Sequence, residues 1–220
     1  MTTFQTIEQA ATARAAEALR DRLPVPKSAA ELRALDDDRY LSLMSLRVFR
    51  AGLKHSMVDP KWPAFEEAFL GFDPRRVRAM SDEDLDVLLA DTRLIRHGRK
   101  MHAVRDNAAA ICALWDAKGG VGAYLADWPW ERIVELWDDL GKRFSQLGGN
   151  SGPVFLRMAG KDTFILTDDV VRGLNQWGAF EGMPKGKGAR RQVQEVFNRW
   201  AEESGKPLCQ LSMTLALSTG

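Results

Sequence analysis

Apolar residues recur along the chain at three- and four-residue spacing, while the Val/Ile/Thr alternation that marks a half-buried strand is nearly absent. The pattern predicts an all-α protein. Residues 4–23 read as an amphipathic helix that Pro24-Val25-Pro26 stops, because proline removes a helix donor and clashes with the preceding turn. Ser28 with Glu31 makes a capping-box pattern at the start of a second helix. Helices are then expected at 40–53 and 62–69, with a turn at Asp59-Pro60 between them, and a short one opens at Asp73-Pro74. Ser81-Asp82-Glu83-Asp84 offers a capping hydroxyl and acids at the positive end of a helix that runs to about Leu89. A long helix at 95–115 is followed by a break at Gly119-Gly120, and another begins at Trp128-Pro129-Trp130 and reaches about Arg143. Beyond a glycine-rich break come helices at 152–158 and 169–176, a basic glycine-rich loop at 183–190, and two final helices.

A chain of 220 residues can bury a sizeable core, here expected as one domain of two lobes around a cleft. One lobe is 40–160, the other 1–39 plus 161–220. The 31 basic residues are nearly matched by 30 acidic ones, for a net charge of +1. Any phosphate-binding face must therefore come from local clustering. No apolar run approaches the roughly 20 residues that cross a bilayer, so no membrane partner and a cytoplasmic location are expected. Cys112 and Cys209 each lie in an apolar helical stretch and read as reduced, buried thiols, forming neither a disulfide framework nor a zinc site.

The most informative stretch is KRFSQLGGNSGPVFLRMAGKDTFILTDDVVRGL, residues 142–174, two helices around a tight turn and then a link ending in acids. On spacing alone it suits a plain αα-hairpin between core helices. It also resembles the hairpin of the helix-hairpin-helix DNA glycosylase superfamily, with Phe144-Ser145-Gln146-Leu147-Gly148 standing for apolar, two turn residues, apolar and glycine, and Gly149 following. Such a turn lets backbone N–H groups approach phosphate oxygens without reading base sequence. Gln146 stands where the superfamily usually has glycine, which implies a wider turn. The resemblance places the catalytic aspartate at Asp168, where an acid can stabilise positive charge on the sugar and orient water. Asp168 and Asp169 also both suit a helix N-cap, and the two roles are compatible. Members that also cleave the DNA backbone carry a lysine at the position of Asn150, so the resemblance implies a monofunctional enzyme.

Upstream, residues 49–111 resemble the bacterial 3-methyladenine DNA glycosylase I family. They carry its Ala-Gly-Leu, Phe-Asp-Pro and Ile-Arg-His blocks as Ala51-Gly52-Leu53, Phe72-Asp73-Pro74 and Leu94-Ile95-Arg96-His97, followed by Lys100 and Asn107-Ala108. The family's adenine-binding glutamate is Arg47 here and its stacking tryptophan is His55. A guanidinium only donates, so it cannot accept an exocyclic N–H as a carboxylate does. Zinc is not expected, because the family's C-terminal ligands fall on Asp169 and Gly173 and its N-terminal pair has no counterpart before Tyr40. No cofactor is expected either.

The resemblance implies a two-lobed helix-hairpin-helix glycosylase fold, acting as a monomer on double-stranded DNA with a damaged base. Arg47, Phe49, His55 and Trp62 are the candidate base pocket, although aromatic residues at helical spacing usually fill cores. Two basic runs are solvated faces or phosphate contacts: Arg93 to Arg105, and Lys185, Lys187, Arg190 and Arg191 with glycines interleaved. The expected activity is hydrolysis of the N-glycosidic bond of an alkylated purine. The alternatives are a non-enzymatic DNA-binding relative that has lost the base pocket, and a glycosylase for a different lesion whose carbonyl oxygen Arg47 reads.

Overall fold

The computed structural model describes residues 2–219, and the side chains of all of these except 18–20. Every regular element among them is helical: α1 Phe4–Arg22, α2 Ala29–Ala34, α3 Asp37–Arg50, α4 His55–Val58, α5 Trp62–Ala68, α6 Pro74–Val77 and α7 Asp82–Ala90. Then follow α8 Gly98–Lys118, α9 Val121–Ala126, α10 Ile133–Arg143, α11 Ser151–Ala159, α12 Asp168–Gln176, α13 Gly186–Ser204 and α14 Leu208–Leu217. The all-α reading holds.

The starts of these helices follow local chemistry. Ser28 Oγ accepts the Glu31 N–H at 3.2 Å, and the Glu31 carboxylate accepts the Ser28 N–H at 2.8 Å. The Ser81–Asp84 pair repeats this reciprocal cap at 3.1 and 2.8 Å. Asp162, in the link before α12, accepts the N–H groups of Leu208 and Cys209 at 2.9 and 2.8 Å and so caps α14. That cap joins residues 46 and 47 apart in sequence, beyond the reach of any local pattern.

The contacts divide the chain into two units. In the first, residues up to 27, 129–136 and those from 160 on, α14 packs against α1, α12 and α13. Its sequence is apolar nearly all round, and Leu208, Cys209, Leu211 and Leu215 are buried, as expected of a helix with neighbours on several sides. Phe164 stacks on Phe197 at 4.3 Å, tying the link after α11 to α13.

In the second unit, residues 28–128 and 137–159, α3 packs on α8, α9 and α11, and α2 lies on α9. A Cβ on Gly122 would sit 2.4 Å from the Leu32 carbonyl oxygen, so the close approach of α2 and α9 requires glycine there. Phe49, Phe65, Phe69 and Phe72, all fully buried, form an aromatic core together with Trp62.

Several segments differ from expectation, among them the helix expected at 40–53, which runs from Asp37 to Arg50. The helix expected from 95 begins at Gly98, because Leu94 closes a turn onto the Asp91 carbonyl and Lys61 takes the carbonyls of Thr92 and Arg93. α9 follows Gly119-Gly120 directly, its six residues too few to show a period. The expected basic loop at 183–190 is half helix, since α13 starts at Gly186.

Candidate nucleic-acid interface and base pocket

The hairpin between α10 and α11 lies in the second unit. Phe144 and Leu147 are 2% and 0% exposed, so their side chains anchor the turn and are not surface contacts. The exposed part is Gly148, Gly149 and Asn150. Gln146 takes φ +62°, the left-handed conformation that favours glycine. Its side chain donates to the Arg99 carbonyl at 3.0 Å. A Cβ on Gly141 would meet Gly148 Cα at 3.2 Å, and one on Gly152 would meet the Leu147 carbonyl at 3.0 Å, so both helices press closely on the turn.

Asn107, 1% exposed on α8, clamps this turn from behind. Its Oδ1 accepts the Ser145 N–H at 2.6 Å and its Nδ2 donates to the Ser145 carbonyl at 3.1 Å. Ser145 therefore has no free backbone donor for a ligand. In the sequence Asn107 stands only as part of a family block, with no local signal for this contact.

Among the four candidate pocket residues, also in the second unit, Phe49 is fully buried, tilted against Phe65 at 4.6 Å and edge-on to Trp62 at 6.3 Å. Core packing consumes its ring. Trp62 is half-buried, stacked between Phe65 and Phe72, with its Nε1 donating to Ser42 Oγ at 3.1 Å. His55 is exposed at the start of α4.

Arg47, on the last turn of α3, is half-buried and forms no ion pair among the described residues; its Nε is buried without a hydrogen-bond partner. Burial, then the nearby Arg50, pushes its pKa down. Lys100, 6% exposed, sits close by and donates to the carbonyls of Ala51 and Phe49 at 2.7 and 3.2 Å. Burial and the Arg47 charge lower its pKa as well. Arg50 is occupied, paired with both carboxylate oxygens of Asp59 at 2.8 and 2.7 Å. A cavity of about 410 Å³ in the same unit lies among Asp36, Asp73, Arg75, Cys112 and Trp115, and none of the four candidates lines it. Asp36 and Asp73 stand at the N-termini of α3 and α6, so two of its acids are helix-end residues.

Asp168 belongs to the first unit, exposed at the first position of α12. The cap expected of Asp168 or Asp169 is made by Thr167, whose Oγ accepts the Val170 N–H at 3.2 Å. Both aspartates occupy the first turn, where the helix dipole favours acids. Asp169 pairs with Arg172 at 3.1 Å. Gly173 is buried against Leu215, where a Cβ would approach to 2.8 Å, so it can hold no ligand side chain. These positions do not fit a zinc ion, and among the described residues no three His, Cys, Asp or Glu stand where they could share one.

Lys185 precedes α13 in the first unit, and Lys187, Arg190 and Arg191 occupy its first turns, all but half-buried Arg190 exposed. In the earlier basic run Arg93 pairs with Asp91 and Glu67, Arg105 with Asp82, and Lys100 is buried, while Arg96, His97 and Arg99 are exposed. No helix among the described residues is long and apolar enough to cross a membrane.

A family model described as methyladenine glycosylase matches residues 31–142, about half of the chain. A DNA-3-methyladenine glycosylase of Haemophilus influenzae is 33% identical over 79 residues, which cover 36% of this chain and 43% of that protein. The chain thus spans less than half of that relative's length. The 3-methyladenine DNA glycosylase I of Staphylococcus aureus superposes with TM-score 0.54 at 22% identity, covering 69% of this chain and 87% of its own. The 8-oxoguanine DNA glycosylase of Methanocaldococcus jannaschii superposes with TM-score 0.52 at 13% identity, covering 96% and 90%. At such identities the two structures establish the fold, that of helical DNA glycosylases. With the family match running from α2 into α10 on that fold, the chain belongs to the methyladenine glycosylase family.

Proposed function

We propose that the protein is a monofunctional DNA glycosylase of base excision repair, hydrolysing the N-glycosidic bond of an alkylated purine in double-stranded DNA. The observation that carries this reading is the hairpin. Its turn is clamped by Asn107 and anchored by Phe144 and Leu147, leaving Gly148 and Gly149 exposed ahead of α11. Backbone donors at a helix start hold phosphate oxygens whatever the base sequence. Lys185, Lys187, Arg190 and Arg191 add a second basic surface, whose phosphate contacts would strengthen binding in a salt-dependent way.

In this reading a flipped nucleotide enters a pocket bordered by Arg47, His55 and Trp62, with Phe49 as its buried backing. The bond from C1′ to the base nitrogen breaks with the electron pair staying on the base. A purine alkylated at N3 or N7 is already cationic and leaves as a neutral molecule, so no strong general acid is needed. The Asp168 carboxylate stabilises the positive charge on the sugar and orients the water that adds to C1′. Asn150 offers no amine to form a Schiff base with the opened sugar.

The product distinguishes this reading from its alternatives. Incubation of the protein with methylated duplex DNA is expected to leave abasic sites that break only on later alkali treatment. Strand breaks without alkali would contradict the monofunctional assignment. Binding without any abasic sites, on methylated or other damaged DNA, would favour the non-enzymatic relative.

A further inference from the structure

Arg47 is a cation with donors and no acceptor to receive them. Its Nε is buried and unpartnered, and no carboxylate among the described residues pairs with it. The charged groups around it give no relief. Arg50 is taken up by Asp59, and Lys100 by two main-chain carbonyls. The enclosed Nε is closed to a ligand, but the Nη groups also have no partner among the described residues, and acceptors supplied by a ligand would pair them.

We propose that Arg47 is a specificity-determining residue that selects a 6-keto purine, of the alkylated-guanine kind, over a 6-amino purine. The inference rests on the glycosylase reading and names the substrate class of its pocket. A 6-amino purine presents an exocyclic N–H₂ on the edge that a 6-keto purine fills with O6. Against a guanidinium, the amino group sets donor against donor and leaves both unpaired. O6 and N7 of a guanine-type base alkylated at N3, whose N7 keeps its lone pair, instead accept two N–H groups in the fork geometry that arginine offers. As C1′–N9 breaks, the bonding pair stays with the base and electron density grows at O6, where Arg47 holds it. Water adds to C1′ and loses its proton to solvent, so the hydrolysis balances with no further reactant.

The test compares free bases that differ at position 6. Calorimetry with hypoxanthine against adenine, and with 3-methylguanine against 3-methyladenine, is expected to show the keto member of each pair binding at least about tenfold tighter, the discrimination typical of one bidentate contact. Arg47→Glu should reverse the order, and Arg47→Gln, which keeps a neutral side chain of similar reach, should abolish the preference. Tighter binding of the amino bases by the unaltered protein, no binding of either pair, or a preference unmoved by both substitutions would overturn the proposal. So would an Arg47→Gln protein that only loses salt-dependent DNA affinity, which would make Arg47 a phosphate contact. Base release from methylated DNA separates the two levels. Release of 3-methyladenine in preference to methylguanine ends this inference and leaves the glycosylase reading standing. If no base is released while the keto preference is present, the enzymatic reading fails and the pocket assignment survives.

Discussion

Thr167 and Asp168 are neighbours at the start of α12 with separable roles. Thr167 satisfies a main-chain donor of the first turn, and Asp168 stands exposed beside it. Thr167→Ala is expected to lower stability by about 1 kcal/mol, the usual cost of a lost N-cap. Asp168→Asn should stay within about 0.5 kcal/mol, as surface changes do. Urea unfolding midpoints at unchanged m-value measure both. A large loss of stability in Asp168→Asn would mean that the aspartate is structural. The sequence placed Asp168 correctly at the helix start but not the cap, since Thr, Asp and Asp in succession are all good capping residues and only the backbone turn chooses among them. The replacement of an acid by Arg47 was also plain in the sequence. The burial of Lys100 near it was not, because a lysine amid Arg96, Arg99 and Arg105 reads as surface.

At the scale of elements, the hairpin depends on a contact from α8. Removing the Asn107 side chain leaves the Ser145 N–H and carbonyl unpaired beside a buried surface. Asn107→Ala is accordingly expected to destabilise the protein by about 2 kcal/mol and to weaken binding to any duplex, damaged or not. Denaturation and gel-shift titration of undamaged duplex read the two effects. If DNA affinity were unchanged, the hairpin would not be the part that holds DNA. The apolar, turn, apolar, glycine order made the hairpin visible from sequence, and helix caps at Ser28 and Ser81 were equally visible because they are local. Asn107 to Ser145 spans 38 residues, and the left-handed Gln146 breaks the local rule that reserves such a conformation for glycine. Neither could be read from a window of neighbouring residues.

For the molecule as a whole, the all-helical architecture followed from periodicity alone, whereas the fate of its charges did not. With 31 basic and 30 acidic residues the formal charge is nearly balanced, and in the run from Arg93 to Arg105 that looked basic in sequence Arg93, Lys100 and Arg105 are tied up in ion pairs or burial while Arg96, His97 and Arg99 stay exposed. The fully buried ring of Phe49 likewise reflects packing from α5 and the Phe72 turn, which a helical spacing cannot reveal. In the proposed function the exposed hairpin and the start of α13 hold DNA, and Asp168 carries the chemistry. The measurement that tests this account most directly is the rate of base release from methylated duplex DNA by the unaltered protein and by Asp168→Asn, with duplex affinity measured alongside. The account predicts release by the unaltered protein, a fall of about 100-fold or more in the variant, and affinity kept by both. Equal release by the two proteins, or no release from any damaged duplex, would contradict it.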